Sequence, residues 1–124
     1  MLIVSHLDSE LARYQCPNPL TQTELEAFLS EFHDFFESDG RHHIWITSLP
    51  EKATLVYDRH DLIYAYGPLQ RFADAVEQQG FQESAIIIPS PHAHCYQAEF
   101  DTSEAAVLNY WEWKTFPLTE QDLR

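Results

Sequence analysis

His92 and His94 stand two apart in the segment Pro89-Ser-Pro-His-Ala-His94. On extended backbone, residues at i and i+2 point the same way, so both imidazoles can reach one ion. His42 and His43 open a separate alternating stretch, and a sheet can carry one of them to the same end of the fold. His92, His94 and His43 are the ligand set this arrangement suggests. Zinc, or a similar divalent ion, accepts such nitrogen ligands, and Glu99 and Asp101 follow closely enough to orient a ring or complete the shell. The corresponding function is a metal-dependent enzyme of the hydrolase kind. The sequence carries no H-E-x-x-H and no paired C-x-x-C to reinforce it. The competing reading makes the histidines counter-charges, because a negative protein raises their tendency to hold a proton.

Cys95 beside His94 invites a thiol–imidazole nucleophile, but adjacent residues on extended chain face opposite ways. A buried, inert thiol is the expectation for Cys95, and no catalytic residue is assigned. Cys16 and Cys95 are far apart in sequence and read as two unpaired thiols. With no positively charged leader or long apolar run, they indicate a protein of the cytoplasm. Only three glycines are present, at 40, 67 and 80, each placed to stop a helix or make a turn. No glycine loop is left to cradle a phosphate, so no organic cofactor is expected.

Charge is the second source of functional information. Twenty acidic residues face seven basic ones, for a formal net charge of −13 on 124 residues. A field of that sign repels nucleic acid and anionic membrane and attracts basic proteins. The first reading is therefore a small acidic binding protein that neutralises a basic partner. In size and charge it resembles the immunity proteins and antitoxins that block nuclease toxins. Glu26, Glu31, Asp34 and Glu37 on one helix face, with Asp58 and Asp61 in a loop, are the expected contacts. A third reading takes the many tyrosines and tryptophans as a face for oligomerisation, giving a monomer or homodimer, or as the walls of a small-ligand site.

The elements that position these residues follow from periodicity. Residues 2–5 read as a short strand, and Cys16-Pro-Asn-Pro19 as a break. Thr21-x-x-Glu24 and Thr23-x-x-Glu26 are overlapping capping-box candidates for the start of a helix whose apolar stripe is Leu25, Phe28, Leu29, Phe32, Phe35 and Phe36. Gly40 sits where a helix stops. Residues 42–48 alternate as a strand, and 53–57 with 62–66 form a hairpin around Asp58-Arg-His-Asp61. Gly67-Pro68 opens a helix ended by Gly80. Ala85-Ile-Ile-Ile88 predicts a central strand covered on both faces, followed by an extended proline loop. A helix over 101–110 and a strand over 111–116 complete the chain. The fold class is α+β: one compact domain, 1–124, with a mainly antiparallel sheet of four to five strands and two to three helices.

Overall fold

The computed structural model describes residues 2–3, by backbone, and 11–122. It is an α+β domain built on one antiparallel sheet. The strands are β1 (Leu2–Ile3), β2 (Ala12–Gln15), β3 (His42–Ser48), β4 (Ala53–Tyr57), β5 (Ile63–Tyr66) and β6 (Lys114–Pro117). Their order is β5-β4-β3-β1-β2-β6. The helices are α1 (Gln22–Glu31), α2 (His33–Ser38), α3 (Leu69–Gln78) and α4 (Asp101–Tyr110), the last preceded by a 3-10 turn at Ala98–Phe100. No helix among the described residues is long and apolar enough to cross a membrane.

Of the two overlapping capping boxes, the one at Thr21 and Glu24 forms. Thr21 Oγ1 accepts from the Glu24 N–H at 3.2 Å, and the Glu24 carboxylate accepts from the Thr21 N–H at 2.8 Å. The phenylalanine stripe then packs against the sheet. Phe28, Phe32, Phe35 and Phe36 are buried with Ala12, Tyr14, Ile44 and Val107, which places α1, α2 and α4 on one face. Each such ring contributes roughly 1.5–3 kcal/mol by leaving water. The stripe spans two helices, because Phe32 leaves helical geometry at φ −109°, ψ 18° and α2 begins at the next residue. The change of direction lets Phe35 and Phe36 both reach the core.

Three expectations are corrected. Residues 84–88 form no strand: Ile86, Ile87 and Ile88 are 74%, 84% and 44% exposed. An apolar run without alternation carries no information about its neighbours, and β4 already takes one edge of β3 along Ile44–Ser48. Pro89 and Pro91 then remove ladder donors at once. β2 was not anticipated; its four residues alternate buried and exposed but include no β-branched side chain. The final strand begins at Lys114, not Trp111, because Trp111 and Trp113 fold back onto Phe28 with ring centroids 4.5 and 6.0 Å away. Of the short strand expected at 2–5, Leu2–Ile3 is present and the remainder lies outside the described residues.

A buried arginine joins the two halves of the chain. Arg41 is 1% exposed, and all five guanidinium N–H donors are used. Nε and Nη2 form a two-pronged pair with Asp39 at 2.7 and 2.9 Å. Nη1 reaches Asp101 at 2.8 Å and Glu104 at 2.6 Å, and Nη2 also donates to the Gln97 carbonyl at 2.9 Å. Burial alone would lower the arginine's pKa, but its carboxylate partners outweigh that and raise it. Its charge is therefore fixed. The Gln97 N–H returns a bond to Asp39 at 2.9 Å, which fastens the loop before α4 onto the turn before β3.

Candidate metal centre

The hairpin loop and the proline segment meet at the end of the sheet. Between β4 and β5 the chain turns through Asp58-Arg-His-Asp61, with Asp61 at φ +59°. Asp58 organises this turn from inside. Its Oδ1 accepts from the His60 and Leu62 N–H groups at 2.9 and 3.1 Å, and its Oδ2 accepts from the His60 ring at 2.9 Å. Burial works to raise the Asp58 pKa, but these hydrogen bonds outweigh it and keep the carboxyl below its ordinary value. Asp58 was expected among the solvent-facing acids; it is instead 7% exposed and committed to the loop.

The other side is held by Gly40, whose N–H donates to the Cys95 carbonyl at 3.1 Å. A Cβ on Gly40 would lie 3.3 Å from that oxygen and 3.5 Å from His94 Cβ, so close approach is what glycine supplies here. Its φ is not positive, and the left-handed helix stop expected of it does not form. Gly80, at φ +89°, does fill that role for α3. Cys95 itself is exposed, not buried as anticipated.

This docking brings His60, His92 and His94 together. One ligand atom from each lies within 4.8 Å of the others. Their ring centroids are 4.7 Å apart for His60–His94, 5.2 Å for His60–His92 and 5.3 Å for His92–His94. All three Nδ1 atoms face oxygen acceptors: Asp58 Oδ2 for His60, the Pro89 carbonyl at 3.1 Å for His92, and the Arg59 carbonyl at 3.2 Å for His94. A carboxylate or carbonyl only accepts, so each Nδ1 carries the proton and donates. In a neutral ring this leaves the Nε2 lone pair unprotonated, the tautomer a metal-binding histidine needs. Burial, then the nearby Arg59 charge, lowers the pKa of His94 and favours its neutral form.

The sequence-derived set of His92, His94 and His43 is thus represented by two members, joined by His60. His43 lies half-buried on β3, where the charges of Arg59, Asp58, His60 and His94 act on it, but it is not one of the three clustered rings. His42 points to the opposite face and is buried against Phe35 and Phe36, with centroids at 5.0 and 5.1 Å. The signal for His60 was available in the hairpin loop, where an Asp two residues before a histidine can hold its ring. Asp101 is engaged with Arg41 instead of the histidines.

The carboxylates expected to meet a partner are placed differently. Glu26, Glu31, Asp34 and Glu37 are all exposed on the outer side of α1 and α2. Asp61 is also exposed, though its Oδ1 accepts from the Tyr57 hydroxyl at 2.7 Å. Compared with protein-family models, curated proteins and solved structures, the chain has no match in any of the three.

Proposed function

We propose that His60, His92 and His94 bind a divalent transition-metal ion, zinc by preference, and that the protein is a metal-dependent enzyme of the hydrolase kind. One observation carries this reading: three adjacent imidazoles whose Nδ1 protons are each tied to an oxygen, leaving three Nε2 atoms as ligands. A tetrahedral site with bonds near 2.0–2.1 Å separates its ligand atoms by about 3.3 Å, which small ring rotations supply. Three protein ligands leave a fourth position for water, and a zinc ion there lowers the pKa of that water toward neutrality. His92 is exposed and His60 and His94 are only partly buried, so the cluster lies at the surface, where a substrate can reach it.

The test is equilibrium dialysis against zinc, followed by elemental analysis. The expected result is one equivalent retained by the wild type and loss in His60→Ala and His92→Ala. Less than about a tenth of an equivalent in the wild type would remove the reading, since protein zinc sites are tight.

A second reading, the acidic binding protein of immunity type, is supported by the exposed row Glu26, Glu31, Asp34 and Glu37. Opposed fields accelerate encounter with a basic protein and make binding strongly dependent on salt. Two unpaired thiols suit such a protein acting in a reducing cytoplasm. Pull-down at low ionic strength, repeated with the four acids changed to Gln or Asn, tests it. Failure to recover any basic partner counts against it.

A further inference from the structure

Of the arginines described, all but one have a carboxylate beside them. Arg13 pairs with Asp122, Arg41 with Asp39, Asp101 and Glu104, and Arg71 with Glu51. Arg59 makes no ion pair among the described residues, in a chain whose twenty acidic residues face seven basic ones. Its Nε is buried and has no hydrogen-bond acceptor. The side chain is therefore held by packing and keeps an uncompensated charge where water is partly excluded. A cation in that setting is unfavourable unless an anion meets it.

The setting is the candidate metal centre. Arg59 stands between Asp58 and His60 in the β4–β5 turn, and its carbonyl accepts from the His94 ring at 3.2 Å. After burial, its charge is the strongest influence on both His43 and His94, so the guanidinium lies within electrostatic reach of both rings. Asp58 is committed to the His60 ring and to the His60 and Leu62 N–H groups. Asp61 accepts from the Tyr57 hydroxyl. Neither turns to Arg59.

We propose that Arg59 is the anion-binding residue of this centre and receives a dianionic phosphoryl group, such as that of a phosphate monoester, beside the ion held by His60, His92 and His94. This names the substrate class and rests on the metal reading above. A divalent ion and Arg59, set against Asp58, leave two positive charges at the site. A phosphate dianion matches both, and a carboxylate matches only one. The planar guanidinium also offers paired donors to two oxygens of one group. The protein's wider negative field opposes any anion, but exposed charges beyond roughly 8–10 Å are largely screened at ordinary salt.

The probe is phenylphosphonate, which carries the dianionic head group and cannot be hydrolysed. It is titrated calorimetrically at about pH 8, where histidine is neutral, into protein dialysed against zinc, and the zinc content of each sample is measured. The expected result is saturable binding to the wild type and at least tenfold weaker binding to Arg59→Met at equal zinc content. Arg59→Lys, which keeps the charge but not the fork, should recover part of the loss, and benzoate should bind at least tenfold more weakly than phenylphosphonate. Because the Arg59 side chain makes no hydrogen bond among the described residues, both variants should keep the wild-type circular dichroism spectrum. If Arg59→Met does not, Arg59→Lys decides alone, with at least a threefold loss expected. Unchanged affinity in the deciding variant overturns the proposal, as does benzoate binding equally well. Zinc content separates this proposal from the metal reading: zinc-loaded protein silent up to about 10 mM phenylphosphonate overturns the anion site alone. Protein that takes up no zinc removes the metal reading. In that protein, phenylphosphonate binding that depends on Arg59 still supports the anion site, and silence overturns it.

Discussion

Asp58 and His60 are two residues apart, and the carboxylate of one holds the imidazole Nδ1 of the other at 2.9 Å. The same carboxylate caps the loop that carries the ring, so loop geometry and ring tautomer have one cause. Asp58→Asn can keep an oxygen toward the backbone but loses the charge that polarises the ring. We expect zinc affinity to fall about 10- to 100-fold in this variant with the circular dichroism spectrum retained. Competition with a chromogenic chelator measures it, and an unchanged affinity would detach Asp58 from the site.

Arg41→Met leaves Asp39 and Glu104 buried without their cation. Breaking a buried ion pair from one side costs about 3–5 kcal/mol, because the remaining charge stays out of water. Urea denaturation should show a loss of this size. Arg41→Lys should recover only part of it, having three donors for a place that uses five. A loss within 1 kcal/mol, about the value of an exposed pair, would mean that the carboxylates are hydrated.

His42 gives the protein a defined acid sensitivity. It is 2% exposed, and burial, opposed by the charge of Asp39, pushes its pKa down to about 4 from the ordinary 6.5. The unfolded chain therefore takes a proton below pH 6.5 that the folded chain refuses. Stability is greatest above that pH and falls as pH drops toward 4, by about 3 kcal/mol from this group. His42→Phe should flatten the pH profile of urea midpoints in this window. A profile identical to that of the wild type would assign the slope to other groups.

Gly67 and Gly80 both have positive φ, at +124° and +89°, yet only one is crowded. A Cβ on Gly67 would sit 2.5 Å from the Lys52 carbonyl, whereas nothing lies within 4 Å of one on Gly80. Gly80→Ala should cost about 1–2 kcal/mol, the conformational term alone. Gly67→Ala should cost more, since a backbone carbonyl must move. Thermal melts of the two variants compare them directly, and equal losses would refute the steric argument.

Local pattern was legible wherever a segment's neighbours in sequence are also its neighbours in space. The Thr21 cap, the phenylalanine stripe and the β4–β5 hairpin are of this kind. Two of the three rings of the histidine site were readable too, since the i, i+2 spacing of His92 and His94 belongs to one extended segment. The third ring was not, because His60 reaches them across more than thirty residues. The choice between His43 and His60 depends on which way β3 and the hairpin loop face.

By itself the sequence determined the class of fold, the negative charge and the helical stretch that presents Glu26 to Glu37, though not its break at Phe32. Periodicity and net charge are properties of order along the chain, and folding does not change them. Tertiary structure decided the rest. It left the isoleucines at 86–88 in solvent, because strand partners are allotted by the edges other segments leave open. It buried Arg41, whose partners Asp101 and Glu104 lie about sixty residues away and meet it only once α4 has docked. It set His60 beside His92 and His94 by anchoring the proline segment on Gly40 and Asp39 and by bonding the His94 ring to the Arg59 carbonyl of the hairpin loop. Contacts between distant segments depend on that docking, and no spacing within either segment encodes it.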